Sequence, residues 1–204
     1  MRLALLGPCD GDTAALARAC ATALDRLEAE RVVYLSTDGA LDDVVLAWTR
    51  LLGAEGPFDE RVAALLEADA GAARLALEVE HERARRRLER LHSLPRPGVR
   101  VIELMHDRIV LLVDDKSSLD EEDLLPASII VFGRGEPTVR RVGTRVFLAP
   151  GHVKKRDQGI LLLEEVVGGT PAIRATLCDV DGTEKHRETI DAQRAARLRV
   201  HGAA

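Results

Sequence analysis

The chain has 204 residues, of which 46% are hydrophobic and 31% are charged, and its formal net charge is -5. Length and composition are typical of a globular protein with one α/β domain, and the acidic balance gives no electrostatic footprint for nucleic acid. Three cysteines without Cys-x-x-Cys spacing indicate a reducing compartment and argue against a disulfide framework or a zinc site. The N-terminal apolar run is too short for a signal peptide or a membrane span, so we expect a cytoplasmic protein without a membrane partner.

The first part of the chain alternates between buried strands and helices. Apolar runs predict strands over Leu3–Leu6 and Arg31–Leu35, and apolar residues at helical spacing predict a helix over Ala14–Leu27 between them. A strand, a helix and a second strand favour a parallel pair with a right-handed crossover. Two more helices are predicted over Leu41–Leu52 and Glu60–Leu91, with a break at Gly71.

The second half of the last helix, Glu78–Arg90, is dense in Glu and Arg at i,i+4 spacing. Opposite charges at this spacing stabilise a helix that faces water, so the run is interpreted as a solvated face. A partner-binding surface is the second interpretation.

From residue 99 the pattern is that of short strands. His106-Asp107 predicts a hairpin turn, a polar loop follows the apolar strand that ends at Val113, and Leu119–Leu125 predicts a short acidic helix. We expect one domain over residues 1–182 and a charged C-terminal tail, 183–204, that is helical in part. The predicted strands are Val99–Leu104, Arg108–Val113, Ile129–Phe132, Thr138–Val142, Arg145–Leu148, Gly159–Val167 and Ala172–Asp179, the last four as further strands of a hairpin-connected sheet.

The stretch from Ile129 to Gly151 has the most specific pattern. An apolar strand, Ile129–Phe132, leads into a turn that reads Gly133-Arg134-Gly135-Glu136-Pro137, and a later strand ends in Ala149-Pro150-Gly151. The carboxyl end of a buried strand is where α/β folds keep their sites. This frame resembles that of the calcineurin-like metallophosphoesterases, in which the strand ends in Gly-His-x-His and a later one in Asn-Pro-Gly.

The resemblance is to the small bacterial phosphodiesterase branch of that family, and it covers the chain from Met1 to about Cys178. It implies an α/β fold, a four-layer α/β/β/α sandwich. In the family's active form five loops at strand ends hold two metal ions, usually Mn²⁺, Fe or Zn²⁺. A metal pair of this kind clamps both oxygens of a displaced phosphate.

The five loops of the family read Asp-x-His, Gly-Asp, Gly-Asn-His-Asp, a His that ends an apolar strand, and Gly-His-x-His. None of these metal ligands stands at its own position here, and Pro8 and Phe58 cannot coordinate a metal through their side chains. The structural glycines and prolines of the frame are kept, so the resemblance implies the fold without the classical dimetal site. In chain order the aligned positions hold Pro8 and Asp10, Ser36 and Thr37 with Asp38 one residue late, Gly56-Pro57-Phe58-Asp59, Asp114, and Gly133-Arg134-Gly135-Glu136.

This loss of ligands implies a pseudoenzyme. A trafficking subunit of the eukaryotic branch gives a precedent, since it uses the fold to hold other proteins. We therefore expect a non-catalytic scaffold or regulator that binds no cofactor and has a protein partner, with a homo-oligomer as a further expectation. The partner would bind at the apolar edge of the vacated site or at the Glu/Arg-rich helix.

A rebuilt metal site is the first alternative. Asp10, Asp38, Asp114 and Glu136 could converge on the old cleft and bind Mn²⁺ or Mg²⁺, because these ions accept oxygen ligands alone. The competing interpretation is that these carboxylates cap helices and stabilise turns.

A metal-free phosphate or nucleotide site is the second alternative. Arg134 could take the place of the metal, because a guanidinium binds phosphate bidentately, and His152 follows a nearby strand end. The competing interpretation is that Arg134 pairs with Asp10 or Asp114 and fills the space of the lost cations.

Overall fold

The computed structural model describes residues 1–50, 70–168 and 170–191. These residues form two β-sheets that stack face to face, with helices on both outer surfaces. The order of layers is α/β/β/α, and the predicted fold class is confirmed.

The first sheet has the strand order β11-β10-β9-β1-β2-β3. β1 lies at its centre, parallel to β2 and antiparallel to β9. The parallel pairing predicted for the first two strands is therefore confirmed. The strands are β1 (Arg2–Leu6), β2 (Arg31–Tyr34), β3 (Leu91–Ser93), β9 (Gly159–Val166), β10 (Ala172–Asp179) and β11 (Glu184–Asp191).

The second sheet has the order β4-β5-β6-β8-β7. Its three central strands are parallel, so that their carboxyl ends meet at one edge. The edge strands join it as antiparallel hairpins, β4 through the predicted His106-Asp107 turn. The strands are β4 (Val101–Met105), β5 (Arg108–Val113), β6 (Ile129–Phe132), β7 (Thr138–Val142) and β8 (Arg145–Ala149).

Alternating side chains of the strands divide the core into three layers. Leu3 and Leu5 of β1 point between the sheets, against residues such as Leu112 of β5. Ala4 and Leu6 face the opposite way and pack beneath the first helices. Ile130 and Phe132 of β6 form a smaller layer on the outer side of the second sheet.

The helices cover these outer faces. Asp12 caps the first one, since its carboxylate accepts the N–H of Ala15 at 2.9 Å. Asp120 and Asp123 form a reciprocal capping box on the short acidic helix. The helices are α1 (Thr13–Ala21), continued as a π-helix (Thr22–Arg26), α2 (Ala40–Arg50), α3 (Ala70–Leu88), a 3₁₀ turn (Lys116–Ser118) and α4 (Glu121–Leu124). No helix in the described ranges is long and apolar enough to cross a membrane.

Four expectations are corrected. Glu184–Asp191, predicted as tail and in part as helix, is a strand because its backbone completes the hydrogen bonding of β10, and only Ile190 buries its side chain. The long helix ends at Leu88, and Leu91 begins the edge strand β3 beside β2. β9 and β10 join the first sheet instead of following β8 in the second. The short acidic helix, predicted from residue 119, starts after the Asp120 cap. Residues 60–69 and 192–204 lie outside the described residues.

The ion pairs on the charged face of α3 agree with the interpretation of that face as exposed to solvent. Arg74 and Glu78, Glu82 and Arg86, and Arg85 and Glu89 form exposed i,i+4 ion pairs. Such pairs each stabilise a helix by only a few tenths of a kcal/mol. These charges are therefore paired within α3 and the residue that follows it.

Candidate functional site

The carboxyl ends of the central strands in the two sheets meet at one side of the sandwich. We define the strand-end cleft as the loops of residues 7–12, 35–39, 114–118, 133–137 and 150–155, which follow β1, β2, β5, β6 and β8. The third family loop, Gly56–Asp59, falls outside the described residues and is not placed.

Two glycines bring these loops together across the sheets. A Cβ atom on Gly7 would lie 1.6 Å from the carbonyl oxygen of Gly151, and one on Gly133 would lie 2.0 Å from that of Leu35. Because real Cβ atoms do not approach so closely, only glycine fits at either place. A hydrogen bond from Val153 N to Pro8 O, at 3.0 Å, adds to the first contact. Contacts between main-chain atoms therefore fix the positions of these loops relative to one another.

Asp10 and His152 form a pair across this contact. The Asp10 Oδ2 atom lies 2.7 Å from His152 Nδ1, and both side chains are partly exposed. Asp10 has a φ of 49°, the left-handed conformation of a Cys9–Asp12 turn that it shares with Gly11, and Asp tolerates this conformation better than most residues. Asp10, at one of the family's metal-ligand positions, therefore already pairs with the His152 imidazole.

Asp38 has local partners. Its Oδ1 accepts the N–H of Ala40 at 3.0 Å and so caps the start of α2, and its Oδ2 lies 2.9 Å from the Tyr34 hydroxyl. The backbone N–H of Cys9 donates to that same hydroxyl at 3.1 Å. Burial raises the pKa of Tyr34, so the hydroxyl stays protonated and donates a hydrogen bond to the Asp38 carboxylate.

Arg134 faces two carboxylates at longer distances. Its guanidinium lies 4.0 Å from Asp114 Oδ2 and 3.8 Å from Asp115 Oδ2. The amide and hydroxyl of Ser117 lower the pKa of the Asp115 carboxyl below its usual value, although desolvation opposes them, and Arg134 adds to the lowering. The Arg134 side chain is 65% exposed, and neither distance is that of a hydrogen bond.

Glu136 contacts a residue of a different loop, the one that follows β8. Its Oε1 atom accepts a hydrogen bond from Lys155 Nζ at 2.7 Å, and both side chains are largely exposed. The six predicted site residues therefore lie at the strand ends but do not form one cluster. They separate into the pairs Asp10–His152, Arg134–Asp114 and Glu136–Lys155, with Asp38 bound to Tyr34.

The described residues at the family's ligand positions do not fit a metal pair. Within the described ranges, no three His, Cys, Asp or Glu side chains gather closely enough to hold a metal ion. A metal pair also needs free carboxylates to neutralise it, whereas Asp10 and Asp38 hold partners of their own and Asp114 faces a guanidinium.

The sequence did not indicate two residues of the site. The pattern predicts Tyr34 only as part of a strand, although a tyrosine at the end of a buried strand needs a partner for its hydroxyl. The pattern predicts only a polar loop at Asp115, which in the structure is the second acid beside Arg134. The predicted pairing of Arg134 with Asp114 agrees with the structure, whereas Asp10 pairs with His152 instead.

Comparison with known proteins gives one informative match. No family model matches the chain, and no curated protein matches its sequence significantly. A solved structure of a conserved uncharacterized protein from Streptococcus pneumoniae TIGR4, described as a predicted phosphoesterase, is similar with a TM-score of 0.50 and 10% sequence identity. The match covers 94% of this chain and 98% of that one. The fold is thus the α/β sandwich of the metallophosphoesterase type.

Proposed function

We propose that this chain is a metallophosphoesterase-fold pseudoenzyme that acts by binding another protein. The main support is that the carboxylates of the strand-end cleft already have hydrogen-bond or ion-pair partners within the chain. Two of the positions where the fold would place metal ligands hold Asp10, which pairs with His152, and Glu136, which pairs with Lys155. Asp38, one residue after a third such position, is bound by Tyr34 and Ala40. Internal cations and hydrogen-bond donors take the place that a metal pair would need to fill.

Two further features support a stable scaffold in a reducing compartment such as the cytoplasm. The loops are joined by main-chain contacts at Gly7 and Gly133, which do not depend on ligand side chains. All three cysteines are buried free thiols, and burial raises the pKa of Cys20 to about 12 and that of Cys178 to about 11. A thiol with such a pKa is almost wholly protonated and unreactive at neutral pH.

Calorimetric titration with Mn²⁺ tests the proposal, followed by a turnover assay with bis-p-nitrophenyl phosphate in the same buffer. We expect neither binding nor turnover. Binding with turnover that Asp10→Ala and Asp114→Ala both abolish would replace the proposal by a rebuilt carboxylate site for Mn²⁺ or Mg²⁺. Turnover that survives both substitutions would point to a contaminating phosphatase.

The exposed guanidinium of Arg134 favours a second candidate function, the binding of phosphate or a nucleotide without metal. Its distances of 3.8 and 4.0 Å to two carboxylates leave its donors for a bidentate anion. The same titration with inorganic phosphate and with nucleotides distinguishes the two functions. A heat of binding that is lost in Arg134→Ala but kept in Arg156→Ala would favour the anion site. The absence of any heat of binding would favour the scaffold.

A further inference from the structure

β4 forms one edge of the second sheet, and no strand of the described ranges pairs with its outer side. Ile102 and Leu104 of β4 are 60% and 63% exposed, and they project from the same face because side chains alternate along a strand. Proteins usually protect such an edge by charge, by short length or by a covering segment. Because β4 has five residues and its one charged side chain, Glu103, is buried, we expect a segment that covers it.

β4 is held in place by the rest of the molecule. Just before the strand, the Arg100 guanidinium donates to the Asp123 carboxylate at 2.7 Å. Within the strand, the buried Glu103 carboxylate lies 2.7 Å from the Arg31 guanidinium of β2, and Met105 is fully buried between the sheets. A strand fixed in this way loses little conformational entropy when another segment pairs with it.

The described part of the chain leaves the first sheet beside the hairpin of β4 and β5. The main-chain carbonyl of Asp191, at the end of β11, accepts a hydrogen bond from the Arg108 guanidinium. Arg108 begins β5 and pairs with Met105, the last residue of β4. Residues 192–204 therefore follow a residue that lies close to the carboxyl end of β4. Five extended residues span roughly 17 Å, several times the ~4.8 Å between neighbouring strands, so a short linker suffices to reach the edge of β4.

The sequence of residues 192–204 contains one short pattern that is typical of a strand. Arg197-Leu198-Arg199-Val200-His201 alternates basic and apolar side chains over five positions, which is the period of a β-strand. The whole segment has three arginines and no acid, although the net charge of the chain is -5. The pattern matches β4 in length, and its basic charge complements the one charged side chain of β4, which is an acid.

We propose that residues 197–201 pair with β4 as an antiparallel strand, so that a segment of the same chain covers this edge and becomes the sixth strand of the second sheet. The direction follows from the starting point, because a segment that starts at the carboxyl end of β4 runs back along it. A short tether gives such a segment an effective concentration in the millimolar range. At micromolar protein concentration it therefore has the advantage over a second copy of the chain.

One register suits both the apolar and the charged side chains. It sets an arginine opposite the acid of β4 and each apolar residue of the pattern opposite an exposed apolar residue. Opposing residues of an antiparallel pair face the same side, so the four apolar side chains would form one cluster. A shift by one residue would place arginines in that cluster instead. The pairs are Arg199–Glu103, Leu198–Leu104 and Val200–Ile102.

The apolar cluster would supply most of the stability of this pairing. Glu103 already has Arg31 as its partner, so Arg199 adds a second cation to an existing pair. The main-chain hydrogen bonds fix the register, as they do when a peptide adds a strand to a sheet edge. A substitution within the apolar cluster is therefore the sharpest way to release the segment.

Hydrogen–deuterium exchange of the full chain, followed by mass spectrometry at micromolar concentration, tests the proposal. The amides of residues 197–201 are expected to exchange at least tenfold more slowly in the wild type than in Leu104→Lys, which places a charge in the apolar cluster. Val142→Lys is the matched control, because Val142 is 51% exposed on β7, the opposite edge of the same sheet. Its exchange at residues 197–201 should equal that of the wild type.

Several outcomes would overturn the proposal. Exchange of residues 197–201 in the wild type as fast as in a random-coil peptide would show that they do not cover β4. Slow exchange that Leu104→Lys leaves unchanged would place their contacts elsewhere, and equal acceleration in both variants would assign the effect to net charge. Slow exchange that is lost on dilution, with a dimer in sedimentation velocity, would assign the covering segment to a second copy. Circular dichroism of both variants confirms that each is folded, as the exposure of the two side chains leads us to expect.

Discussion

Tyr34 is the single tyrosine of the chain and is fully buried at the end of β2. Its hydroxyl accepts the N–H of Cys9, in the loop after β1, and donates to Asp38, in the loop after β2. One buried oxygen therefore ties together two of the loops that border the strand-end cleft.

Tyr34→Phe is expected to destabilise the fold. The change removes the acceptor of the Cys9 N–H and leaves that buried donor without a partner, which costs about 1–3 kcal/mol. Urea unfolding at neutral pH measures the loss. Asp38→Asn is the companion variant, because its one amide oxygen can still accept from Ala40 while its NH2 group donates to the Tyr34 hydroxyl, and it should cost less. Equal stability of Tyr34→Phe and the wild type would contradict the role assigned to this hydroxyl.

At the scale of the element, the hairpin between β10 and β11 is organised by one carboxylate. Asp179 Oδ1 accepts the N–H groups of Asp181 and Thr183 at 3.0 and 2.8 Å, and Oδ2 lies 3.0 Å from Lys185 Nζ. The loop also rests on the π-helix, because the Thr22 hydroxyl donates to Val180 O at 2.8 Å. The interactions of this turn hold β11 in register although its side chains are mostly charged.

The decrease in the free energy of unfolding at acidic pH should depend in part on the protonation of Asp179. Burial alone would raise the pKa of this carboxyl, but the Thr183 amide, Lys185 and the Asp181 amide outweigh it, and the pKa lies below its usual value. A depressed pKa stabilises the fold at pH values above the unfolded pKa of about 3.9, and this contribution is lost as the pH falls through the folded pKa.

Asp179→Asn is therefore expected to be less stable than the wild type at pH 7, with a difference that shrinks on acidification. Urea unfolding of both proteins from pH 7 to pH 3 measures this difference. Asp181→Asn, an exposed neighbour in the same loop, is the control and should show little change. A difference that stays constant with pH would show that the ionised form of Asp179 does not stabilise the hairpin.

Elements with a strong apolar signal could be predicted from the sequence, and those without one could not. Leu3–Leu6 and Ile129–Phe132 are continuous apolar runs, and both are central strands. Glu184–Asp191 is a strand only because its main chain can hydrogen-bond to the edge of β10. Tertiary context of this kind overrides local propensity. Within the cleft, the Asp10–His152 pair joins residues 142 positions apart, which no local pattern could indicate.

At the scale of the whole molecule, the two sheets touch directly where their strands end. Gly7 lies against Gly151, and Gly133 lies against Leu35, with no room for a side chain at either place. Gly133 and Gly151 belong to the frame that the sequence predicts as structural, whereas Gly7 is predicted only to end a strand. The partners in these contacts were not predictable, because each contact joins loops of different sheets.

Gly7→Ala is expected to cost ~3 kcal/mol or more, because its Cβ would overlap a carbonyl oxygen of the main chain and one sheet would have to shift. Gly98→Ala is the control. Gly98 has a φ of 73° and no atom within 4 Å of its added Cβ, so it carries only the cost of a left-handed residue, about 1–2 kcal/mol. Urea unfolding compares the two, and equal losses would show that the sheets can part without penalty.

The central place of β1 has a consequence for synthesis on the ribosome. One side of β1 pairs with β2, which is made soon after it, but the other side pairs with β9, residues 159–166. Most of the chain must emerge before Leu3–Leu6, which is fully buried in the finished fold, is covered on both sides. The nascent chain therefore presents an apolar strand for most of its translation, and such strands are what chaperones protect from aggregation.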